Sequence, residues 1–280
     1  MFSLAATLVW LCGCGHAPEV PTNVRLDEAI QLSQQGSLAY KRGEFATAIG
    51  CFESALRLDL SIENHEGIVN GRLNLAQALQ AAGKTGEAQR QLDFLLEQGA
   101  KPISDAQRAR AAAAKALLQL KQGQTADAGR WAGQARRDCH ETCPDAAPIL
   151  NIQSRIALDR GDVANAQSLA QAALALLEPA SDESATSLRL IGAALLRQGK
   201  ANDAAGFFQR ALAIDRELGL PARIADDLMQ LGDAHGVSGN KGKAKDFYRR
   251  ALVVAEAANE KTLVKLAQEK IAQLEQQKER

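Results

Sequence analysis

Aromatic side chains are scarce in this chain: two tryptophans, two tyrosines and seven phenylalanines among 280 residues, or 4%. Few large rings means few ready anchors for a rigid binding patch. The apolar content of 46% comes mostly from alanine and leucine, which favour helix. Net charge is also missing, with 33 basic against 33 acidic residues. Without a basic excess to neutralise phosphates, nucleic acid is excluded as the default partner. Few stretches alternate apolar with polar residues, so strands lack their signal. No H-E-x-x-H, G-x-S-x-G, Gly-rich phosphate loop or C-x-x-C occurs. The four histidines, His16, His65, His140 and His235, are scattered. The expectation is an all-α protein that is not an enzyme and holds no cofactor or metal.

What the chain does have is a phrase said six times. GEFATAIGCFESALRLD starts at Gly43, GKTGEAQRQLDFLL at Gly83 and GQTADAGRWAGQAR at Gly123. GDVANAQSLAQAALALL follows at Gly161, GKANDAAGFFQRALAID at Gly199 and GNKGKAKDFYRRALVVA at Gly239. Successive glycines are 40, 40, 38, 38 and 40 residues apart, a period that marks a solenoid. Five residues after each glycine stands an alanine: Ala48, Ala88, Ala128, Ala166, Ala204 and Ala244. A second alanine follows seven later, except in the second copy, which has Leu95. Seven before each glycine is another small residue: Gly36, Ala76, Ala116, Ser154, Gly192 and Gly232. Each glycine permits the left-handed backbone that ends a leading helix. The alanine at plus five lets a second helix approach the first closely. Large residues at plus nine, Phe52, Phe208 and Tyr248, are expected to fill the space toward the next unit.

This spacing of small residue, glycine, alanine and alanine resembles the tetratricopeptide repeat, over residues 29–255. The leading-helix Trp of that family is replaced by Leu32, Leu188 and Leu228, and its closing Pro is missing from most copies. The period exceeds the family's roughly 34 residues, which implies helices or links longer by about a turn. The resemblance implies a right-handed superhelical solenoid of about six antiparallel helix pairs over residues 26–258. Residues 259–280 form a capping helix and tail, with Leu263, Leu266, Ile271 and Leu274 on one face to close the last unit. The family phase implies a concave groove lined by the leading helices. The positions that point into it are Ser33, Ser37, Tyr40, Gln77, Gln80, Asn151, Arg155, Arg189 and Asp233. Arg155 and Arg189 would grip acidic groups of a ligand, or else be solvated or serve in ion pairs within the chain.

The N-terminus reads as a separate unit. Residues 2–11 are apolar apart from Ser3 and Thr7, too short to span a bilayer but the length of a signal-peptide core. Leu11-Cys12-Gly13-Cys14 resembles a bacterial lipobox, although the Lys or Arg that usually opens such a signal is absent. The resemblance implies removal of residues 1–13 as a signal peptide and lipidation of Cys14, with residues 14–25 as a tether. Several acyl chains hold firmly where a single one does not. Gly15 rather than Asp after the cysteine implies the periplasmic face of the outer membrane. Cys139 and Cys143 flank a histidine and a glutamate in the link between the third and fourth units. In an oxidising compartment a disulfide there is the favoured reading, with free thiols or a metal as alternatives. Cys51, beside Phe52, reads as a small buried apolar residue.

The function expected from these features is a lipid-anchored scaffold that binds a protein or peptide partner in its groove. The membrane is contacted by the lipid alone. By analogy of fold it would assist assembly of an envelope complex, a pilus secretin or the outer-membrane protein machinery. The alternative is a non-catalytic adaptor that recruits or regulates cell-wall hydrolases.

Overall fold

The computed structural model describes residues 23–97, 103–140 and 143–276. These residues form thirteen helices and no strand. Six antiparallel pairs follow one another: α1 (Val24–Lys41) with α2 (Phe45–Ser61), α3 (His65–Ala81) with α4 (Thr85–Leu96), and α5 (Asp105–Lys121) with α6 (Thr125–Asp138). Next come α7 (Ala146–Asp159) with α8 (Val163–Ala175), α9 (Asp182–Arg197) with α10 (Ala201–Glu217), and α11 (Pro221–Val237) with α12 (Lys241–Ala257). A last helix, α13 (Lys261–Gln276), covers α12. The long period has two sources. The first, fifth and sixth pairs have second helices of 17 residues, whereas α4, α6 and α8 have 12, 14 and 13 and are followed by longer links.

The repeated glycine ends its helix by one device. Gly43 has φ +78°, its N–H donates to the Tyr40 carbonyl, and Glu44 N–H reaches back to Ala39 at 3.0 Å. That pair of reverse bonds satisfies carbonyls the helix leaves open, and it requires a left-handed residue. The bond recurs at every unit, from Lys84, Gln124, Asp162, Lys200 and Asn240 to Leu79, Gln119, Ala157, Leu195 and His235. A local bond pattern thus sets the turn of each pair. All six alanines at plus five are fully buried, where the two helices of a pair cross.

Phe52, Phe208 and Tyr248 at plus nine also fill space within their own pairs. Each ring lies over the small residue of its own leading helix. A Cβ placed on Gly36, Gly192 or Gly232 would stand 2.7, 2.6 or 2.3 Å from the ring of Phe52, Phe208 or Tyr248. Where the small residue is Ala76, Ala116 or Ser154, the plus-nine residue shrinks to Leu92, Ala132 or Ala170. Volume is exchanged across the pair, as a close-packed interior demands. The fourth pair uses its spare hydroxyl as well, Ser154 donating to the Ala166 carbonyl at 2.7 Å.

Candidate interaction groove

The leading helices α1, α3, α5, α7, α9 and α11 present polar and charged side chains toward one another around the inside of the superhelix. The Tyr40 phenol on α1 lies beside the Gln77 side chain on α3, and it also feels the charges of Arg223 on α11 and Asp182 on α9. The first pair therefore faces the fifth and sixth across the interior. Burial raises the Tyr40 phenol above its usual range and outweighs the opposing pull of Arg223. Glu183 is raised by burial against a hydrogen bond from Asn151. Asp226 is likewise raised by burial, with Arg189, Arg155 and Arg223 opposing. Lys121 is lowered by burial and by the neighbouring charge of Arg155. The lining therefore mixes both signs and is partly withdrawn from water, where hydrogen bonds and charge pairs gain strength. Such a surface suits a polar segment of another chain.

At the N-terminal end the same face opens into a cleft of about 560 Å³, lined by Ser33, Ser37, Asn70 and Asn74 among others. Asn70 and Asn74 are four apart on one helix face. Their amides each offer donors and an acceptor, the complement of a peptide bond.

The positions taken from the sequence divide into two groups. Ser33 and Ser37 line the N-terminal cleft, and Tyr40 and Arg155 lie within electrostatic reach of charged side chains on other leading helices. Gln77, Ser37 and Arg155 are exposed, and the Gln80 side-chain nitrogen is buried without a hydrogen-bond partner. The other three are corrected. Asn151 is buried, accepts from Ser187 at 2.9 Å and donates to Glu183 at 3.4 Å. Arg189 donates to Asp215 and, at 3.3 Å, to Asp227, both fully buried. Asp233 accepts from Tyr248 Oη at 2.7 Å and Lys270 Nζ at 2.6 Å. These three tie helices together, Asn151 buried and Asp233 half-buried in its clasp. The reason is rotational. Asn151 and Arg189 stand ten before their glycines, a position turned toward the neighbouring pair, and Asp233 is covered by the cap helix.

The sequence reading missed Asn70, Asp182, Glu183, Arg223 and Asp226. They lie 13 to 17 residues before their glycines, one or two turns earlier along the same face. Continuing the helical period toward the N-terminus of each leading helix would have found them. His235 stacks on Phe247 with centroids 5.2 Å apart. Cys51 is a free, half-buried thiol, and Cys139 and Cys143 are joined by a disulfide. Cys14 lies outside the described residues.

The Asp233 clasp makes a prediction about the cap. Asp233→Ala leaves the buried Tyr248 hydroxyl without its acceptor and releases Lys270, costing about 1–3 kcal/mol. Amide exchange in α13 should accelerate well before that in α9 and α10. Equal protection of α13 in variant and wild type would refute the clasp.

Residues 145–217, the fourth and fifth pairs, match the tetratricopeptide repeat family. Among solved structures the chain resembles a Rap protein complexed with Competence and Sporulation Factor, at TM-score 0.67 and 13% identity, over 89% of this chain and 71% of that one. It resembles PilW, a widely conserved type IV pilus biogenesis factor, at TM-score 0.55 and 16% identity, over 80% of this chain and 92% of PilW. PilF of Pseudomonas aeruginosa aligns at TM-score 0.52 and 16% identity, over 76% of this chain and 91% of that one. At these identities the likeness is one of fold. No curated protein matches the chain.

Proposed function

We propose that this solenoid of tetratricopeptide repeats is a scaffold that holds a segment of a partner protein inside its superhelix. The observation that carries the reading is the interior lining. Tyr40, Gln77, Glu183, Arg223 and Asp226 come from four different leading helices and act on one another across a shared space. Protein-binding folds of this kind include the Rap protein, whose structure holds Competence and Sporulation Factor. The finer part of the reading is an anchor at Cys14 on the periplasmic face of the outer membrane and a role in assembling an envelope complex. The lipobox-like Leu11–Cys14 and the shared fold with a pilus biogenesis factor support it.

The test is in-cell photo-crosslinking from position 77, with a matched probe at position 265 on the cap. Gln77 is exposed on the groove and Lys265 is exposed on α13. Arg189 is unsuitable as a probe site because its replacement would unpair two buried carboxyls. The expected result is a partner captured from position 77 and not from 265. Equal capture from both sites, or none from 77, would refute the groove as the working surface. Fractionation of the same cells, with Cys14→Ser as comparison, tests the anchor: the substitution should release the protein from the membrane fraction.

A further inference from the structure

The first and fifth pairs end their second helices alike, ALRLD at 55–59 and ALAID at 211–215. Each closes on an aspartate that the fold buries, Asp59 at 4% exposure and Asp215 at 0%. In the fifth pair that burial is answered. Arg189 donates to Asp215, and Arg223 seals the junction through Thr186 at 3.1 Å and Asp182 at 2.7 Å. In the first pair it is not. Counted back from the stop glycine of the leading helix, the place of Arg189 is taken by Ser33. By the same count, the place of Arg223 in the following pair is taken by Gly67. Both arginines are replaced by small residues while the aspartate is kept.

Ser33 and Gly67 both border the 560 Å³ cleft, whose walls also include Asp59, Asn64, Asn70 and Asn74, and the Asp59 carboxyl rests against Gly67, 2.2 Å from where a Cβ would stand. Among the described residues the Asp59 carboxyl receives one hydrogen bond, from Asn64 to Oδ1 at 2.7 Å, and no cation. Lys41 and Arg110 also border the cleft, but neither pairs with Asp59, and Arg110 is engaged by Asp145 at 3.3 Å. A buried carboxylate with no counter-charge is costly. Burial accordingly raises the Asp59 carboxyl above its usual range, against the Asn64 bond. The planar donor fork of a guanidinium fits a carboxylate better than an ammonium does, and the fifth pair shows this fold closing the same junction with one.

We propose that the cleft between the first and second pairs is a subsite for an arginine side chain of the segment held in the groove. The guanidinium donates to Asp59 as Arg189 donates to Asp215. The Asn70 and Asn74 amides bond the backbone of the same segment. This rests on the groove reading above and adds to it the chemical class that the N-terminal end selects.

The test uses the full chain with two small probes, Nα-acetyl-arginine methylamide and its neutral citrulline counterpart, followed by ligand-observed NMR. The arginine probe should bind at least about tenfold more tightly, as loss of a charged hydrogen bond implies. Ser33→Arg, which supplies the side chain from within, and Asp59→Asn should each abolish that preference. Ser33→Arg should also raise Tm, and only while Asp59 is present. Equal binding of the two probes, or an arginine preference that survives Ser33→Arg, overturns the proposal. If Ser33→Arg does not fold, the probe comparison in wild type and Asp59→Asn decides alone. The two readings fail separately. A position-77 probe that captures the same partner from wild type and a folded Ser33→Arg keeps the groove and overturns the subsite. Arginine selectivity with no capture from 77 keeps the cleft chemistry and removes the groove partner.

Discussion

Gly192→Ala destabilises the solenoid by about 1–3 kcal/mol, the usual cost of overpacking a filled core. At an open helical position the same exchange is favourable by about 0.8–1 kcal/mol. The two effects oppose, and the geometry decides between them. A Cβ on Gly192 would lie 2.6–2.9 Å from three atoms of the Phe208 ring, and Phe208 is fully buried, so the ring has nowhere to retreat. Gly206 on α10 is the internal control. Nothing lies within 4 Å of its Cβ position, so Gly206→Ala stabilises. Phe208→Ala opens a cavity and costs about 3–5 kcal/mol. Adding Gly192→Ala to it returns part of that loss, since the new methyl enters the vacated space, with a coupling of about 0.5–3 kcal/mol. The double variant recreates the Ala116–Ala132 pairing of the third repeat. Urea unfolding of the four variants measures the cycle. Strict additivity, or a Gly192→Ala that stabilises like Gly206→Ala, would show that the ring does not set the residue beneath it.

Arg189→Met costs about 3–5 kcal/mol at neutral pH, as expected when one partner of a buried ion pair is removed. Methionine keeps much of the volume, so the loss is electrostatic. It leaves Asp215 and Asp227, both at 0% exposure, without the cation they share. Burial first, and the neighbouring Asp215, push the Asp227 carboxyl up to about 8, against the opposing charge of Arg189. A proton on Asp227 lets a single guanidinium serve two buried carboxyl groups. The sign of the pH dependence follows. The folded state binds this proton more tightly than the unfolded chain, whose aspartates titrate near 4. Between pH about 4 and about 8 the folded state therefore carries more protons, and stability falls as pH rises. The contribution is fully present below the unfolded value and lost as pH passes the folded one. Unfolding followed from pH 5 to 9 should show this decline in the wild type and a flatter profile in Asp227→Asn. The penalty of Arg189→Met should also be smaller at pH 5 than at pH 8. A wild-type profile that Asp227→Asn leaves unchanged would refute the shared-proton arrangement.

The repeat was legible because its causes are local. A left-handed glycine, whose own N–H and that of the next residue close bonds to carbonyls three and four before it, needs no distant partner, and six such stops in register specify six helix pairs. The buried alanines at plus five are legible for the same reason, since the helices they separate are joined by a short turn. Less visible was where the rings at plus nine would rest. The small residue seven before the glycine and the large one nine after it are both plain in the sequence. That they meet each other follows only from the crossing angle of the pair.

The groove shows the division most sharply. From the sequence alone one can place Ser33, Asn151 and Arg189 at the same point of the period, and the sequence treats them as equivalent. In the folded chain Arg189 closes a junction over Asp215 and Asp227, Asn151 is consumed by Ser187 and Glu183, and Ser33 leaves a cleft over Asp59. The small rotation from one pair to the next, summed over the solenoid, also brings Tyr40 of the first helix under the influence of Arg223 in the eleventh. The units, their stops and their internal packing follow from the chain alone, because these depend on residues within about forty of one another. Which equivalent positions are filled from within and which stay open is settled in the folded molecule, because that depends on what the neighbouring pairs carry.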